Sequence, residues 1–217
     1  MEGRRTLEEG SGKAKPLRSP EDLGKLSAAE LQASKLTSIH AAILQAWECA
    51  FGEKKIIYLS GPITTGRRIV DNIRIGGVSG DDAIIAENTA YLVGVANRLR
   101  NERGDVVVEP ASLKVAGWTQ HDYLVLWEAL IARHARLVVF VPDWEYSIGC
   151  VTEYAMAKAR GVPTETSDGF PLHSDDAVKL LSTASKNIYP DRHHPRLRRL
   201  YEAIESTIET MKAIGSA

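Results

Sequence analysis

The chain has 217 residues, 44% hydrophobic and 25% charged, which is enough for one sizeable core and too apolar for a disordered polymer. With 27 Lys and Arg against 28 Asp and Glu, the net charge of −1 excludes a general field for nucleic acid or an anionic membrane and favours a small-molecule partner. No apolar run has the length to span a bilayer and the N-terminus carries no apolar secretory segment, so a cytoplasmic protein is expected. Cys49 and Cys150 are too few and too far apart for a disulfide framework or a zinc cluster and are read as reduced thiols.

In chain order, residues 1–26 mix charge with Gly, Ser and Pro without apolar period and read as a disordered tail, leaving 27–217 as a single domain. Ser27, with Glu30 three residues on, makes a capping box that opens a helix closed by Gly52. Short apolar runs at 56–61, 105–110, 136–142 and 161–166 then alternate with helical stretches at 83–101, 119–134 and 149–160. Strand alternating with helix predicts an α/β fold, a parallel sheet with helices on both faces. A last helix starts near Pro195, after His193 and His194. Adjacent histidines do not share a helix face as paired ligands must, so no metal site is expected there.

In such a fold ligands sit beyond the carboxyl ends of the strands, which singles out the loops beginning at Gly61, Glu109 and Pro142. The first, "SGPITTGRR" at 60–68, offers Gly61 and Gly66 for close backbone approach, the hydroxyls of Thr64 and Thr65, and Arg67 or Arg68 for a phosphate or carboxylate. An ordinary strand-to-loop turn has the same composition, and the loop is neither a dinucleotide fingerprint nor a Walker loop. The stretch from 67 to 87 reads as a long connection, either disordered or a lid.

The third loop leads into "PDWEYSIGCVTEYAMAKARG" at 142–161. Ser147 and Gly149 fall at a helix start, where free N–H groups favour an anion, and Glu153 falls about one turn in. A carboxylate there is expected to stay ionised at neutral pH, as a nucleophile must. The alternative is a first-turn glutamate on a solvated face. Trp144 is the stacking surface expected for a flat ligand, with Trp118 second, while Trp127 has the helical spacing of a core residue. His121 adjoins Asp122 and is read as solvated.

The segments "IYLSGP", "HDYL" and "VPDWEYSIGCVTEYAMAKARGVP" resemble the nucleoside 2-deoxyribosyltransferase superfamily, which includes deoxynucleotide and cytidylate N-glycoside hydrolases and a related uncharacterised bacterial and phage family. The resemblance spans about residues 55–165. Ser147, Gly149, Glu153, Ala155, Ala157, Gly161 and Pro163 follow the family's order. It implies a flavodoxin-like, Rossmann-like sheet with extra N- and C-terminal helices, Glu153 as nucleophile on the anomeric carbon, and Tyr58 orienting that glutamate. It also implies Asp122 as the second acid at the leaving base. Ser147, where transferases tend to carry Asp, implies a contact to a 5′-phosphate and tilts the expectation toward hydrolysis of a nucleoside 5′-monophosphate. A base-exchanging deoxyribosyltransferase and a non-catalytic nucleotide sensor are the alternatives. The chemistry implied needs neither metal nor organic cofactor, and the family's habit of completing sites across subunits implies a homodimer or higher oligomer. The sequence departs from the pattern at Ala135–Arg136, where the family often has Asp, and at Pro62 and Thr64, where the deoxynucleotide hydrolases have Ser and Arg.

Overall fold

A computed structural model describes residues 37–76 and 81–215. Four parallel strands, β1 (Ile56–Ser60), β2 (Val107–Val108), β3 (Ala135–Phe140) and β4 (Thr164–Thr166), lie in the order β2-β1-β3-β4. Seven α-helices accompany them among the described residues: α1 (Ser38–Phe51), α2 (Arg67–Arg74), α3 (Asp81–Arg103), α4 (Gln120–His134), α5 (Ile148–Ala159), α6 (Ser174–Ile188) and α7 (Pro195–Gly215). The α/β fold expected from the sequence is the fold observed.

Every residue of β1 is buried because both faces of the sheet are covered. Strand alternation divides the core in two. Ile57, Leu59, Leu137, Val139 and Val141 pack with Leu92, Val95, Ala96 and Leu99 of α3. Ile56, Tyr58, Val138 and Phe140 face the opposite layer, which draws residues from α1, α2, α4, α5, α6 and α7. β1, first in the chain, pairs with β2 on one side and β3 on the other. The order therefore reverses at β1, which places a crevice beyond the carboxyl ends of β1 and β3.

The structure departs from the expectations at four places. Of the single helix expected from Ser27 to Gly52, the described part starts at Ser38, after Thr37, whose extended backbone (φ −81°, ψ 170°) caps α1 with His40 as box partner. Gly52 does close that helix, at φ 60°. The calls on the tail at 1–26 and on the Ser27 cap lie outside the described residues. The stretch expected as a lid or disordered connection contains α2, which starts after Gly66 and buries Ile69 and Val70. Finally, α6 was not foreseen, although its buried Ala177, Leu181, Ala184 and Ile188 are helically spaced. The second strand is also shorter than the expected 105–110, and Glu109 turns out of it to cap a single 3-10 turn, Pro110–Ser112, accepting from the Ser112 N–H at 3.0 Å.

Candidate active site

The three loops identified in the sequence meet in one cleft of about 320 Å³. Gly61, Thr64 and Thr65 line it after β1, Pro110, Ala111 and Leu113 after β2, and Ser147, Gly149 and Glu153 after β3. The first and third loops are fastened directly: Thr65 Oγ1 donates to Ser147 Oγ (2.8 Å) and the Gly66 N–H to the Tyr146 carbonyl (3.0 Å).

Glu153 lies in the second turn of α5 and is 4% exposed, so it is not a solvated first-turn residue. Tyr58 donates its hydroxyl to Oε1 (2.7 Å) and Ser60 to Oε2 (2.5 Å). Both oxygens are thereby held, and the carboxylate is fixed in one orientation. Burial pushes the Glu153 pKa up to about 7, against the lowering effect of the Ser60 and Tyr58 hydroxyls. The expectation that a helix start would keep this carboxylate fully ionised is thus corrected. Desolvation outweighs the dipole, whose influence falls off within the first turn. Tyr58 is itself driven well above its ordinary range, first by burial and then by Glu153, and remains a neutral donor. The buried Cys150 thiol beside them is pushed up to about 12 by desolvation, which removes it as a nucleophile.

Ser60 was missed, although alternation gave a signal: two residues after Tyr58 on one strand, it faces the same side. Lys114, Gln120 and Tyr123 were missed as lining residues, because the loop carrying Lys114 and the turn into α4 set their direction. Trp127, read as core, is 4% exposed but presents part of its ring to the cleft.

Ser147 caps α5, its hydroxyl facing the Cys150 N–H at 3.5 Å. The backbone N–H groups of Ile148 and Gly149 have no acceptor among the described residues, and both residues line the cleft with Thr64, Thr65 and Ser147. This is an anion-binding arrangement. Lys114 is the basic side chain among the residues that line the cleft.

Six candidate site residues stand elsewhere. Trp144 is 3% exposed and packs against Phe140 and Tyr154, with ring centroids 5.0 Å away in each case, so it offers the cleft no stacking face. Gly66, at φ 107°, caps α2 and sends Arg67 and Arg68 to the far side of the first loop. There Arg67 lies 5.7 Å from the Tyr146 ring centre and Arg68 pairs with Glu87. Asp122 is the third residue of α4, and its carboxylate accepts from the Thr119 N–H (2.7 Å) and hydroxyl (2.6 Å) as a capping box. The Thr119 hydroxyl, then its N–H, hold that carboxyl below the usual range, the opposite of what a neutral-pH general acid requires. Trp118, the second stacking candidate, packs on His40 and Tyr123. Where the sequence departs from the resembled pattern, Arg136 takes the carboxylate of Asp105.

Among the described residues no three His, Cys, Asp or Glu side chains gather as metal ligands would, and no helix is long and apolar enough to cross a membrane. The fold and site together define a parallel α/β protein with a buried, doubly bonded carboxylate at the switch in strand order. Residues 78–165 match the family model of a domain of unknown function, DUF4406. That match takes in Glu153, Ser147 and Asp122 and stops short of β1, which carries Tyr58 and Ser60. Comparison with curated proteins and with solved structures found no match.

Proposed function

We propose that the protein hydrolyses the base–sugar bond of a nucleoside 5′-monophosphate through a covalent glutamyl-glycosyl intermediate on Glu153. The observation that carries this reading is the pair of hydroxyl donors, Tyr58 and Ser60, on the two oxygens of a carboxylate buried at the cleft floor. Such a group is aimed, desolvated and available as its anion above about pH 7. Glu153 adds to the anomeric carbon as the C–N bond breaks, and the departing base nitrogen keeps the electron pair and takes a proton from solvent, which the hydrolytic water of the next step restores. Water then hydrolyses the glycosyl ester, its oxygen going to the sugar and the carboxylate being released.

The 5′-phosphate is assigned to the Ile148 and Gly149 N–H groups with the Thr64 and Thr65 hydroxyls, as the resemblance implies for Ser147. The base is assigned to the side walled by Tyr123 and Trp127. Neither step calls for a metal ion or an organic cofactor. Asp122, engaged with Thr119, favours a second reading in which the cleft binds a nucleotide without turning it over.

Chromatography of a panel of ribo- and deoxyribonucleoside 5′-monophosphates decides between them. Wild type should release free base and sugar 5-phosphate from at least one member, and Glu153→Ala should lower that rate about 10³-fold or more. Product formed solely with an added acceptor base would identify a transferase. Tight binding with no base released by the wild type would establish the non-catalytic reading.

A further inference from the structure

Departure of the base leaves an electron pair on its nitrogen, and Asp122, drawn into the capping box, is not placed to neutralise it. Among the described residues that line the cleft, Glu153 is the one carboxylate and Lys114 the one cationic side chain. Lys114 is exposed, and its ammonium has no hydrogen-bond or ion-pair partner among the described residues. Strand order sets it apart from the anion site. The loop after β2, which carries Lys114, and the start of α5 after β3 border the cleft from opposite sides of β1, the strand whose Tyr58 and Ser60 hold Glu153. A hydrogen bond ties this loop to the side assigned to the base. Val115, the residue after Lys114, donates its N–H to the Tyr123 hydroxyl (2.9 Å), and Tyr123 is one wall of that side.

An ammonium has three donors and no acceptor, so it pairs with an atom that gains electrons and is a poor neighbour for an amino group. With the phosphate at the start of α5, the part of the substrate nearest Lys114 is the base. We infer that Lys114 receives the negative charge of the departing base, and that the cleft prefers oxo bases, the 4-oxopyrimidines and 6-oxopurines, over their amino counterparts. As Glu153 bonds to the anomeric carbon, the C–N electron pair passes to the ring nitrogen and spreads to the conjugated carbonyl oxygen. Lys114 donates a hydrogen bond to that anion and keeps its proton. The free base is then protonated by solvent, as set out above. An amino group in place of the carbonyl takes up less of this charge and turns its own N–H groups toward the ammonium. This rests on the assignment of Glu153 to the anomeric carbon and names the class of base.

The test measures base release from the 5′-monophosphates of uridine, cytidine, inosine and adenosine, their 2′-deoxy forms and the matching nucleosides. Wild type is compared with Lys114→Met, which keeps a long side chain and removes its charge. Within the ring size that is turned over, the oxo compound should have a kcat/KM at least about tenfold above its amino counterpart, and Lys114→Met should bring the ratio close to one. Its kcat on the oxo compound should fall about 10²-fold or more, with an unchanged melting temperature because the position is exposed. A ratio of one or less in the wild type, or one unchanged in Lys114→Met, overturns the inference. Loss in Lys114→Met of a preference for monophosphate over nucleoside, with the oxo preference intact, would place the lysine at the phosphate and overturn it as well. If the wild type releases no base, calorimetry with the same monophosphates separates the two readings. A Lys114-dependent preference for the oxo nucleotides then keeps Lys114 as the residue that meets the base and removes the catalytic reading of Glu153, whereas equal binding of oxo and amino nucleotides overturns both.

Discussion

At the scale of the residue, Glu153 sets two opposing requirements. Attack requires the anion, and burial favours the acid, with the balance near pH 7. Base release should therefore rise with pH through about 7, a limb to be read from kcat/KM between pH 5.5 and 8.5. Ser60→Ala removes the larger of the two lowering hydroxyls and should move that limb upward, with the loss of rate greatest below pH 7. The same carboxylate also makes stability depend on pH. Its folded pKa lies above the ordinary 4.5, so its contribution is fully present below that value and is lost as pH rises through about 7. Glu153→Gln should accordingly be more stable than wild type at pH 8, by up to about 3 kcal/mol, with the difference vanishing toward pH 4.5 in parallel denaturant titrations. A constant difference across that range would show that Glu153 is not buried as an acid.

At the scale of the element, two glycines of the expected site have different reasons to be glycine. A Cβ at Gly61 would meet Val141 Cγ2 at 2.7 Å and collide with Leu92, so this residue lets β1 and α3 approach each other. At Gly149 the nearest atoms would be Gln120 Nε2 at 3.8 Å and Ser147 Oγ at 3.9 Å, so the protein leaves that space to the cleft. Gly61→Ala should lower stability by about 1–3 kcal/mol by overpacking. Gly149→Ala should unfold at the wild-type temperature and raise KM, which thermal melts and kinetics on the two variants separate. Capping decides the fate of Asp122 in the same way. Thr119 precedes it by three residues, and the box they form draws its carboxylate to the helix end. That box was legible in the sequence as T-x-x-D, yet the resemblance to a second acid concealed it. His40 reinforces the position from α1: its Nδ1 accepts from the Thr37 N–H (3.0 Å), which leaves Nε2–H to donate to the Asp122 carbonyl (2.8 Å).

At the scale of the molecule, the site depends on parts of the chain far apart in sequence. Tyr58 and Ser60 come from β1, 95 and 93 residues from the glutamate that they hold. Helix α7 packs on α5 and on α6, within the core layer that contains Tyr58. Leu197, Leu200, Ile204, Ile208 and Met211 of α7 are all buried there. Removal of residues 195–217 should expose this stripe and abolish a cooperative thermal transition by circular dichroism. A truncated chain that melts cooperatively would make the layer an accessory to the fold.

The sequence by itself determined the parallel α/β architecture, because short apolar runs alternating with helical periods have few other ways to bury themselves. It also indicated the three loops that form the cleft, since parallel strands carry their ligands at one end. Glu153, Tyr58, Ser147, Thr64 and Thr65 were legible at the scale of these loops and of the motif. Tertiary structure decided which side chains face the cleft. The turn at Gly66 sends Arg67 away, ring packing buries Trp144, and β1 brings Ser60 under the glutamate. It also decided the charge on Glu153. A helix start in the sequence favours the anion, and the desolvation that opposes it arises when β1, α5 and the layer over them close together.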